Sequence, residues 1–344
     1  MQLLILGGGV FVGAATLDAA LARGHAVTVL TRGRTRNAWP DGVEALTGDR
    51  SEAGRLDALS GRHWDGVIDT CAYVPADVQA STAALRLCGR YLFVSSVSAY
   101  ASFRHAPVRE DDALADAAGI APTDRNRQFY GPQKAACEAQ VHAAFGARAT
   151  IVRPGLIVGP NDPTGRFSYW PWRVAAGGRM LVPDMPQPSA LQCIDVRDLA
   201  EWMVQLLESD RSGAFNANGP IDGPALDWRR LIDECSAAVR ARGIDAAQAL
   251  RVGEALLLEH GVAPWSELPL WIPSTDPEHA GFLAIDCHRA RAAGLRTRTL
   301  RETIDTVLDE PAPAPGDRRI EGKLASEIEA GLLAAWDAHQ GEMR

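Results

Sequence analysis

The sequence predicts an α/β protein in which a doubly wound parallel sheet is followed by a smaller C-terminal domain. In the first 160 residues, short and almost uninterrupted aliphatic runs alternate with helical segments, and a glycine-rich turn joins the first run to the first helix. Such alternation is typical of a parallel sheet that is covered on both faces. A third observation is the change of composition after residue 160, where Pro, Gly and Trp become frequent.

The predicted elements begin with a βαβ unit of about 30 residues, the usual length of this motif. It consists of a strand, a helix and a strand, over Leu3 to Leu6, Phe11 to Arg23 and Ala26 to Leu30. Gly24 follows the helix, at the position where many helices end in a glycine. The same rhythm predicts three more strands and two more helices, over Gly66 to Thr70, Ala76 to Leu87, Tyr91 to Ser95, Gln133 to Phe145 and Ala149 to Arg153.

Regular elements become sparser beyond residue 160. Residues 159–188 and 264–277 are rich in Pro, Gly and Trp, and we interpret both as long functional loops. Residues 311–315 form a stiff proline-rich linker. Helices are predicted over Asp195 to Ser209, Trp228 to Gly243 and 321–340.

Composition and charge exclude several classes of protein. Of the 344 residues, 47 % are hydrophobic and 23 % are charged, which is typical of a soluble globular protein. The net charge of −8 argues against a nucleic-acid partner. No window approaches 18 apolar residues, and the uncharged N-terminus lacks the basic region of a signal peptide, so we expect no membrane partner and a cytoplasmic location. Six scattered cysteines without a CxxC pair, and histidines without a cluster, favour a reduced protein with no metal site.

A glycine-rich turn lies between the first strand and the first helix. Gly7, Gly9 and Gly13 allow a tight turn, the approach of a pyrophosphate to the helix N-terminus, and close packing of helix on strand. Val12 occupies the last glycine position of the G-x-G-x-x-G pattern. The run by itself fits a simple tight turn as well as a cofactor site, but its place at a strand-to-helix junction favours a dinucleotide.

The residues that end the second strand bear on the choice of dinucleotide. An acid at this position holds the ribose of NAD, whereas an arginine accommodates the 2′-phosphate of NADP. Here the strand ends with Thr31, Arg32, Gly33 and Arg34, and no acid is present. The sequence therefore favours NADP through Arg32, assisted by Arg34, with NAD and a merely solvated basic turn as the alternatives.

Tyr130 and Lys134 lie four residues apart at the start of a predicted helix, and therefore on one face of it. A lysine charge beside a phenol lowers the phenol pKa from about 10 towards neutrality, which lets the phenol exchange a proton with a substrate. Chance often produces this spacing, but only Lys134 and Lys323 are lysines among the 35 basic residues. Ser96 and Ser98, after the strand that ends at Ser95, are either turn residues or groups that polarise a carbonyl.

Six stretches, in this order, resemble the extended short-chain dehydrogenases/reductases, an NAD(P)-dependent superfamily of nucleotide-sugar epimerases, dehydratases and reductases. They are the glycine turn and residues 67–72, 95–100, 130–134, 153–160 and 194–199. The turn and the sequence Gly48-Asp49-Arg50 also resemble bacterial reductase-like relatives of the chloroplast stem-loop-binding proteins. The resemblance implies three parts: a Rossmann-like NAD(P)-binding domain over 1–160 to which later segments return, a substrate-binding domain mostly over 161–310, and a linker with a C-terminal helix over 311–344.

The resemblance also implies roles for individual residues. Tyr130 is the catalytic acid/base, Lys134 binds the nicotinamide ribose and tunes the phenol, and Ser96 is the catalytic serine. Ser98 is a less favoured substitute for Ser96. No metal ligand is implied.

Twelve residues are implied as cofactor contacts: Gly7, Gly9, Phe11, Val12, Gly13, Arg32, Asp49, Arg50, Cys71, Ala72, Pro154 and Gly155. Asp49 would contact the adenine, and Pro154 with Gly155 would lie near the nicotinamide. The chain departs from the superfamily pattern at Val10, which replaces the middle glycine, and at Thr31, which replaces the acid of NAD-preferring members.

Two functions compete on this evidence. The first is an enzyme that uses NADP(H) to transfer a hydride on a small polar substrate, such as a sugar or nucleotide sugar, with either net redox change or redox-neutral epimerisation or dehydration. The second is a non-catalytic NADP- or RNA-binding regulator. The intact Ser96, Tyr130 and Lys134 favour the enzyme, and the charge of −8 disfavours an RNA surface. The expected partner is a small-molecule substrate, and a homodimer is one open option.

Two features are expected to shape the substrate site. The charged segment from Phe103 to Arg127 lengthens the stretch between Ser96 and Tyr130. Four tryptophans in the two loop regions either pack in a small core or form an aromatic wall for a ring-shaped substrate, and they are Trp170, Trp172, Trp265 and Trp271.

Overall fold

The computed structural model describes residues 1–36, 38–52, 56–185, 190–221, 223–314 and 316–342. Its strands are β1 (Gln2–Leu6), β2 (Ala26–Thr31), β3 (Glu44–Thr47), β4 (Gly66–Asp69), β5 (Arg90–Val94), β6 (Ala149–Pro154), β7 (Ile157–Val158), β8 (Arg179–Asp184), β9 (Ile194–Asp195), β10 (Gly213–Ala217) and β11 (Gln248–Gly253). Its α-helices are α1 (Phe11–Ala22), α2 (Pro75–Ala84), α3 (Tyr130–Phe145), α4 (Tyr169–Ala175), α5 (Val196–Glu208), α6 (Trp228–Ala241), α7 (Glu254–Glu259), α8 (His288–Ala292), α9 (Leu300–Asp309) and α10 (Ser326–Glu342).

Seven strands form one parallel sheet in the order β10-β6-β5-β4-β1-β2-β3. The strand order reverses at β1, because β2 and β3 lie on one side of it and β4, β5 and β6 on the other. This arrangement confirms the predicted doubly wound, Rossmann-like sheet. Ligands of such sheets bind beyond the carboxyl ends of the strands at the point of reversal.

Helices cover both faces of the large sheet. Successive side chains of a strand point to opposite faces, so Leu3 and Ile5 pack in one core with α1 and α5, whereas Leu4 and Leu6 pack in the other with α2 and α3. All four side chains are buried. This two-sided burial explains why the strands are almost uninterrupted aliphatic runs in the sequence.

A separate apolar core is built from residues between Val158 and Leu333. It includes the parallel pair β8 and β11, together with α4, α6 and α9. Meanwhile α5 and β10 join the large sheet, although they follow residue 160. The predicted division at residues 160 and 310 stays a prediction, and the second core also takes in Leu324, Leu332 and Leu333 of the segment that was assigned to the linker and C-terminal helix.

The prediction of a long loop over residues 159–188 is wrong for its described part, because α4 and β8 lie within it. Met180, Leu181 and Val182 form a buried strand, and the aromatic residues of α4 are buried despite the proline-rich composition. Pro171 falls in the first turn of α4, where a proline costs no intrahelical hydrogen bond. Residues 186–188 of this predicted loop, and Pro315 of the predicted linker, lie outside the described residues.

The segment from Phe103 to Arg127 is folded onto the rest of the protein. Phe103 packs edge-on against Phe282 with ring centroids 5.0 Å apart, and Val108 forms a β-bridge with Ile285. At its end, Arg125 forms an ion pair with Asp77 of α2. The segment therefore forms part of the wall around the carboxyl edge of the sheet. No helix in the described part of the chain is long and apolar enough to span a bilayer.

Candidate active site

Two adjoining cavities open at the carboxyl edge of the large sheet, and Tyr73 borders both of them. We call them the Tyr130 cavity, of about 440 Å³, and the Arg32 cavity, of about 370 Å³. The Tyr130 cavity is lined by seven predicted site residues: Phe11, Val12, Ser96, Tyr130, Lys134, Pro154 and Gly155. The Arg32 cavity is lined by six others: Gly7, Gly9, Arg32, Asp49, Arg50 and Cys71.

The two remaining predicted residues, Gly13 and Ala72, act from beneath the cavities. A Cβ on Gly13 would lie 2.0 Å from the backbone oxygen of Gly7, so the start of α1 can approach the turn only without a side chain there. Ala72 is buried, and its carbonyl accepts a hydrogen bond of 2.8 Å from the Lys134 ammonium. Both residues thus support the site by packing and backbone contacts.

Gly7 and Gly9 of the glycine turn line the Arg32 cavity without side chains. Gly7 has a φ of +96°, and a Cβ there would lie 2.7 Å from Thr70 Oγ1. Val10, which replaces a glycine of the superfamily pattern, has an extended backbone and is 56 % exposed. The turn therefore stays open despite the substitution, and its residues fit a dinucleotide at the N-terminus of α1.

The basic end of β2 faces the Arg32 cavity. Arg32 and Arg34 are exposed, and neither guanidinium has a hydrogen-bond partner within the described ranges. The Asp49 carboxylate accepts hydrogen bonds from the backbone and hydroxyl of Ser51, at 3.0 and 2.6 Å. These bonds, and then the charges of Arg32 and Arg34, hold the Asp49 pKa below its usual value. The two arginines are thus available to an anionic ligand.

Arg50 is committed to the protein itself. Its guanidinium donates to both carboxylate oxygens of buried Asp69, at 2.7 and 2.9 Å, and to Cys71 Sγ at 2.9 Å. The hydroxyl of Tyr91 also donates to Asp69, at 2.7 Å. Arg50 therefore fixes the carboxyl end of β4, and no local pattern in the sequence predicts its contact with Asp69.

Tyr130 and Ser96 come together where α3 begins beside the turn after β5. Ser96 caps the short 3₁₀ helix Val97–Ala99 by accepting a hydrogen bond from the Ser98 backbone at 3.1 Å. Protein surrounding the phenol raises the Tyr130 pKa, and the Ser96 side chain, which lines the same cavity, opposes that rise. The expected lowering of this pKa by Lys134 is wrong for the structure described: desolvation has the largest effect and raises the pKa, and the ammonium lies 5.9 Å from the ring centroid.

Lys134 lies beneath the phenol. Its ammonium donates to the carbonyl oxygens of Ala72 and Val94, both at 2.8 Å, and lies over the rings of Phe93 and Tyr73 at 4.7 and 5.1 Å. Burial lowers its pKa. The compact ammonium thus donates to two carbonyl oxygens in a buried space, and its geometry differs from the planar fork of an arginine.

A buried polar network supports the serine turn, and no motif or spacing in the sequence predicts it. The Arg153 guanidinium of β6 donates to the Glu138 carboxylate of α3, with a shortest distance of 2.7 Å. Ser95 donates to the same carboxylate at 2.5 Å, and Arg153 donates to the Tyr100 hydroxyl at 2.9 Å. The Ser95 hydroxyl is thereby engaged with Glu138, although both Ser95 and Ser96 line the cavity.

Of the four tryptophans in the predicted loops, three pack in the second core and one lines the Tyr130 cavity. Trp170 and Trp271 are fully buried in the second core, and Trp172 packs against it. Trp265 lines the Tyr130 cavity. The aromatic wall therefore consists of Trp265 and Phe282, whose rings pack edge-on with centroids 5.2 Å apart.

Gly131 is a further site residue that spacing alone did not reveal. A Cβ there would lie 2.2 Å from the backbone oxygen of Ser98, so only glycine lets α3 bring Tyr130 up to the serine turn. We expect Gly131→Ala to destabilise the protein by about 1–3 kcal/mol, the usual cost of overpacking. Gly331→Ala in α10, where a Cβ meets nothing within 4 Å, should instead stabilise slightly. Urea unfolding of both variants checks this, and equal stability of the two would contradict the proposed contact.

Comparisons with known proteins agree with this architecture. The model of the NAD dependent epimerase/dehydratase family matches residues 3–217. The chain is 27 % identical over 241 residues to the 2′-dehydrokanamycin reductase of Streptomyces kanamyceticus, over 68 % of this chain and 65 % of that protein. It thus spans just under two thirds of the length of this curated relative.

Two solved structures share the fold. The UDP-Glc/GlcNAc 4-epimerase from Campylobacter jejuni has a TM-score of 0.64 at 17 % identity, over 90 % of this chain and 98 % of that one. The Bordetella bronchiseptica enzyme WbmH, solved with NAD⁺, has a TM-score of 0.63 at 18 % identity, over 90 % and 97 %. Because the family match covers more than half of the 344 residues, this chain belongs to the NAD dependent epimerase/dehydratase family, an enzyme family of the extended short-chain dehydrogenase/reductase superfamily.

Proposed function

We propose that the protein is an NADP(H)-dependent oxidoreductase that reduces a carbonyl, or oxidises the matching hydroxyl, on a small polar substrate such as a sugar. One observation carries the proposal: Tyr130 and Ser96 line the same cavity, which also borders Phe11 and Val12 of the glycine turn. A proton donor, a polarising hydroxyl and a dinucleotide site are the parts that such a reaction needs.

Each site residue has a distinct role in the proposed reaction. A bound nicotinamide supplies or accepts the hydride. Tyr130 gives a proton to the substrate oxygen in reduction and takes it back in oxidation, while Ser96 donates a hydrogen bond to the same oxygen. Lys134 holds its ammonium at the sheet edge between the carbonyls of Ala72 and Val94, where it would bind the cofactor ribose.

The phenol is in the protonation state that acts in reduction. The raised Tyr130 pKa keeps the phenol protonated at neutral pH, which is the form that donates. The similarity to a protein named as a reductase points the same way. We also propose the narrower kinship with bacterial reductase-like relatives of the stem-loop-binding proteins. The second candidate is a redox-neutral epimerase or dehydratase, which the likeness to epimerase structures keeps open.

The test is a panel of keto-sugars and small carbonyl compounds, followed at the nicotinamide absorbance with NADPH and with NADH. Reaction products are also separated by chromatography, because a redox-neutral epimerisation leaves no net absorbance change. Oxidation of NADPH with one of these carbonyls is expected. Product change without net oxidation would favour the epimerase, and no conversion in either assay would favour a cofactor-binding regulator.

Cofactor choice gives a prediction of its own. The Arg32 guanidinium, just after β2, has no hydrogen-bond partner among the described residues and is expected to bind the 2′-phosphate of NADP. Arg32→Ala should therefore weaken NADP binding by about 1.5–3 kcal/mol, the range for hydrogen bonds to a charged group, and leave NAD binding nearly unchanged. Calorimetric titration of both cofactors checks this. Arg229→Ala, at an exposed position of α6, is the control that should leave the binding of both cofactors unchanged. An equal loss for both cofactors with Arg32→Ala, or a native preference for NAD, would contradict the prediction.

A further inference from the structure

The Tyr130 cavity contains a positively charged side chain, Arg166, to which the proposed proton and hydride chemistry gives no role. Among its described lining residues only Lys134 and Arg166 are charged, and none is Asp or Glu. The whole chain has 43 acidic and 35 basic residues. The lining of this cavity is therefore positively charged in a protein whose net charge is negative. Lys134 lies at the sheet edge, whereas Arg166 lies across the cavity on the loop that follows β7.

The Arg166 side chain is available to a ligand. Within the described ranges its guanidinium has no hydrogen-bond or ion-pair partner, and its observed contact is the ring of Trp265, 5.8 Å away at the centroid. The Asp162 carboxylate attracts the Arg166 guanidinium but lies beyond ion-pair distance. Its two oxygens each accept a hydrogen bond from Thr164, at 2.8 and 3.1 Å. Lys323 and Arg127 add further positive charge close to Arg166.

The protein holds Arg166 and Trp265 in place before any ligand binds. Gly165 has a φ of +59°, and a Cβ there would lie 2.1 Å from the backbone oxygen of Arg319, so the C-terminal segment packs tightly on the Arg166 loop. Trp265 has a φ of +63°, which bulky residues rarely adopt. Strained backbone of this kind concentrates at functional sites, where the surrounding structure enforces it.

We propose that Arg166, backed by Trp265, binds an anionic group of the substrate, a carboxylate or a phosphate monoester, while the reacting carbonyl lies at Tyr130. The guanidinium fork matches both anions geometrically, and no acid in the described lining competes for it. A cationic amino sugar would meet repulsion at the same place. The inference deepens the proposed function, on which it rests, because it assigns a chemical class to the substrate.

The test measures binding of four probes that share a hexose skeleton: glucose, glucosamine, glucuronate and glucose 6-phosphate. Isothermal titration calorimetry is run on NADP-saturated protein, so that anions are kept out of the Arg32 cavity. We expect one or both anionic probes to bind at least about tenfold more tightly than glucose, as hydrogen bonds to a charged group imply. Glucosamine should bind most weakly. The anion that gains affinity identifies the group as carboxylate or phosphate.

Variants locate the effect. Arg166→Gln should abolish the preference for anions, and Arg166→Lys should keep part of it. Arg229→Gln, at an exposed position of α6, should keep all of the preference. The proposal is overturned by equal binding of the four probes, by failure of both anions to bind in the millimolar range, or by a preference that survives Arg166→Gln. Because calorimetry records binding without turnover, the role of Arg166 is tested separately from the role of Tyr130 as proton donor.

Discussion

Tyr130→Phe is expected to lower turnover by about 10²–10⁴-fold, the usual contribution of general acid–base catalysis, with NADP binding nearly unchanged. The substitution keeps the ring and removes only the hydroxyl, in the cavity that Ser96 also lines. Steady-state rates with the substrate found in the carbonyl panel, together with calorimetric NADP affinities, measure the two quantities.

The chain contains a matched control for this experiment. Tyr73 also borders the Tyr130 cavity, and its ring centroid lies 6.4 Å from that of Tyr130. The Lys134 charge acts on the Tyr73 phenol, but burial is the larger effect and raises its pKa. Tyr73→Phe should keep most of the activity. If Tyr73→Phe loses turnover and Tyr130→Phe retains it, the proton donor is Tyr73 and the assigned role of Tyr130 is wrong.

The pH dependence follows from the raised Tyr130 pKa. A phenol donates only in its protonated form, and a raised pKa keeps it protonated below the ordinary phenol range. The rate of reduction should therefore be level across neutral pH and fall only as the pH rises through the raised value. A fall of the Tyr130-dependent rate already between about pH 6 and 8 would indicate a lowered phenol pKa in the working enzyme.

Glu138→Leu is expected to lower the free energy of unfolding by about 3–5 kcal/mol, the usual cost of removing one partner from a buried ion pair. Glu138 and Arg153 are both almost fully buried, at 1 % and 4 % exposure, so the substitution leaves the Arg153 charge without its counterion and without solvent. The Ser95 hydroxyl loses its acceptor at the same time. Urea unfolding measures the loss.

Two comparisons distinguish the effect of the unpaired Arg153 charge from a general loss of packing. The double variant Glu138→Leu with Arg153→Met removes both charges and should recover much of the lost stability. Removal of the exposed pair between Arg229 and Asp233 on α6 should cost no more than about 0.3–0.5 kcal/mol, the usual value for an exposed helical pair. A double variant as unstable as Glu138→Leu alone would attribute the loss to altered packing.

Local signals in the sequence predicted the sheet and its glycine turn. The strands β1, β2, β4, β5 and β6 are buried on both faces, so each is a short aliphatic run. Two strands of the same sheet were not predicted. β3 is an exposed edge strand, and β10 begins with a glycine, so neither carries that pattern. Likewise, α4 was hidden by its proline and tryptophans, whose burial depends on a core formed with distant residues.

Local patterns in the sequence predicted the doubly wound fold and the dinucleotide turn, and the resemblance to the superfamily implied Tyr130, Lys134 and Ser96 as the candidate catalytic residues. Only the tertiary structure decided which residues meet across the cleft. It brings Gly131 against the Ser98 backbone, and it places Arg166 beside Trp265, about a hundred positions later in the chain. It also reversed the expected direction of the Tyr130 pKa. Desolvation and long-range contacts depend on what surrounds a group in space, and residue spacing along the chain does not contain that information.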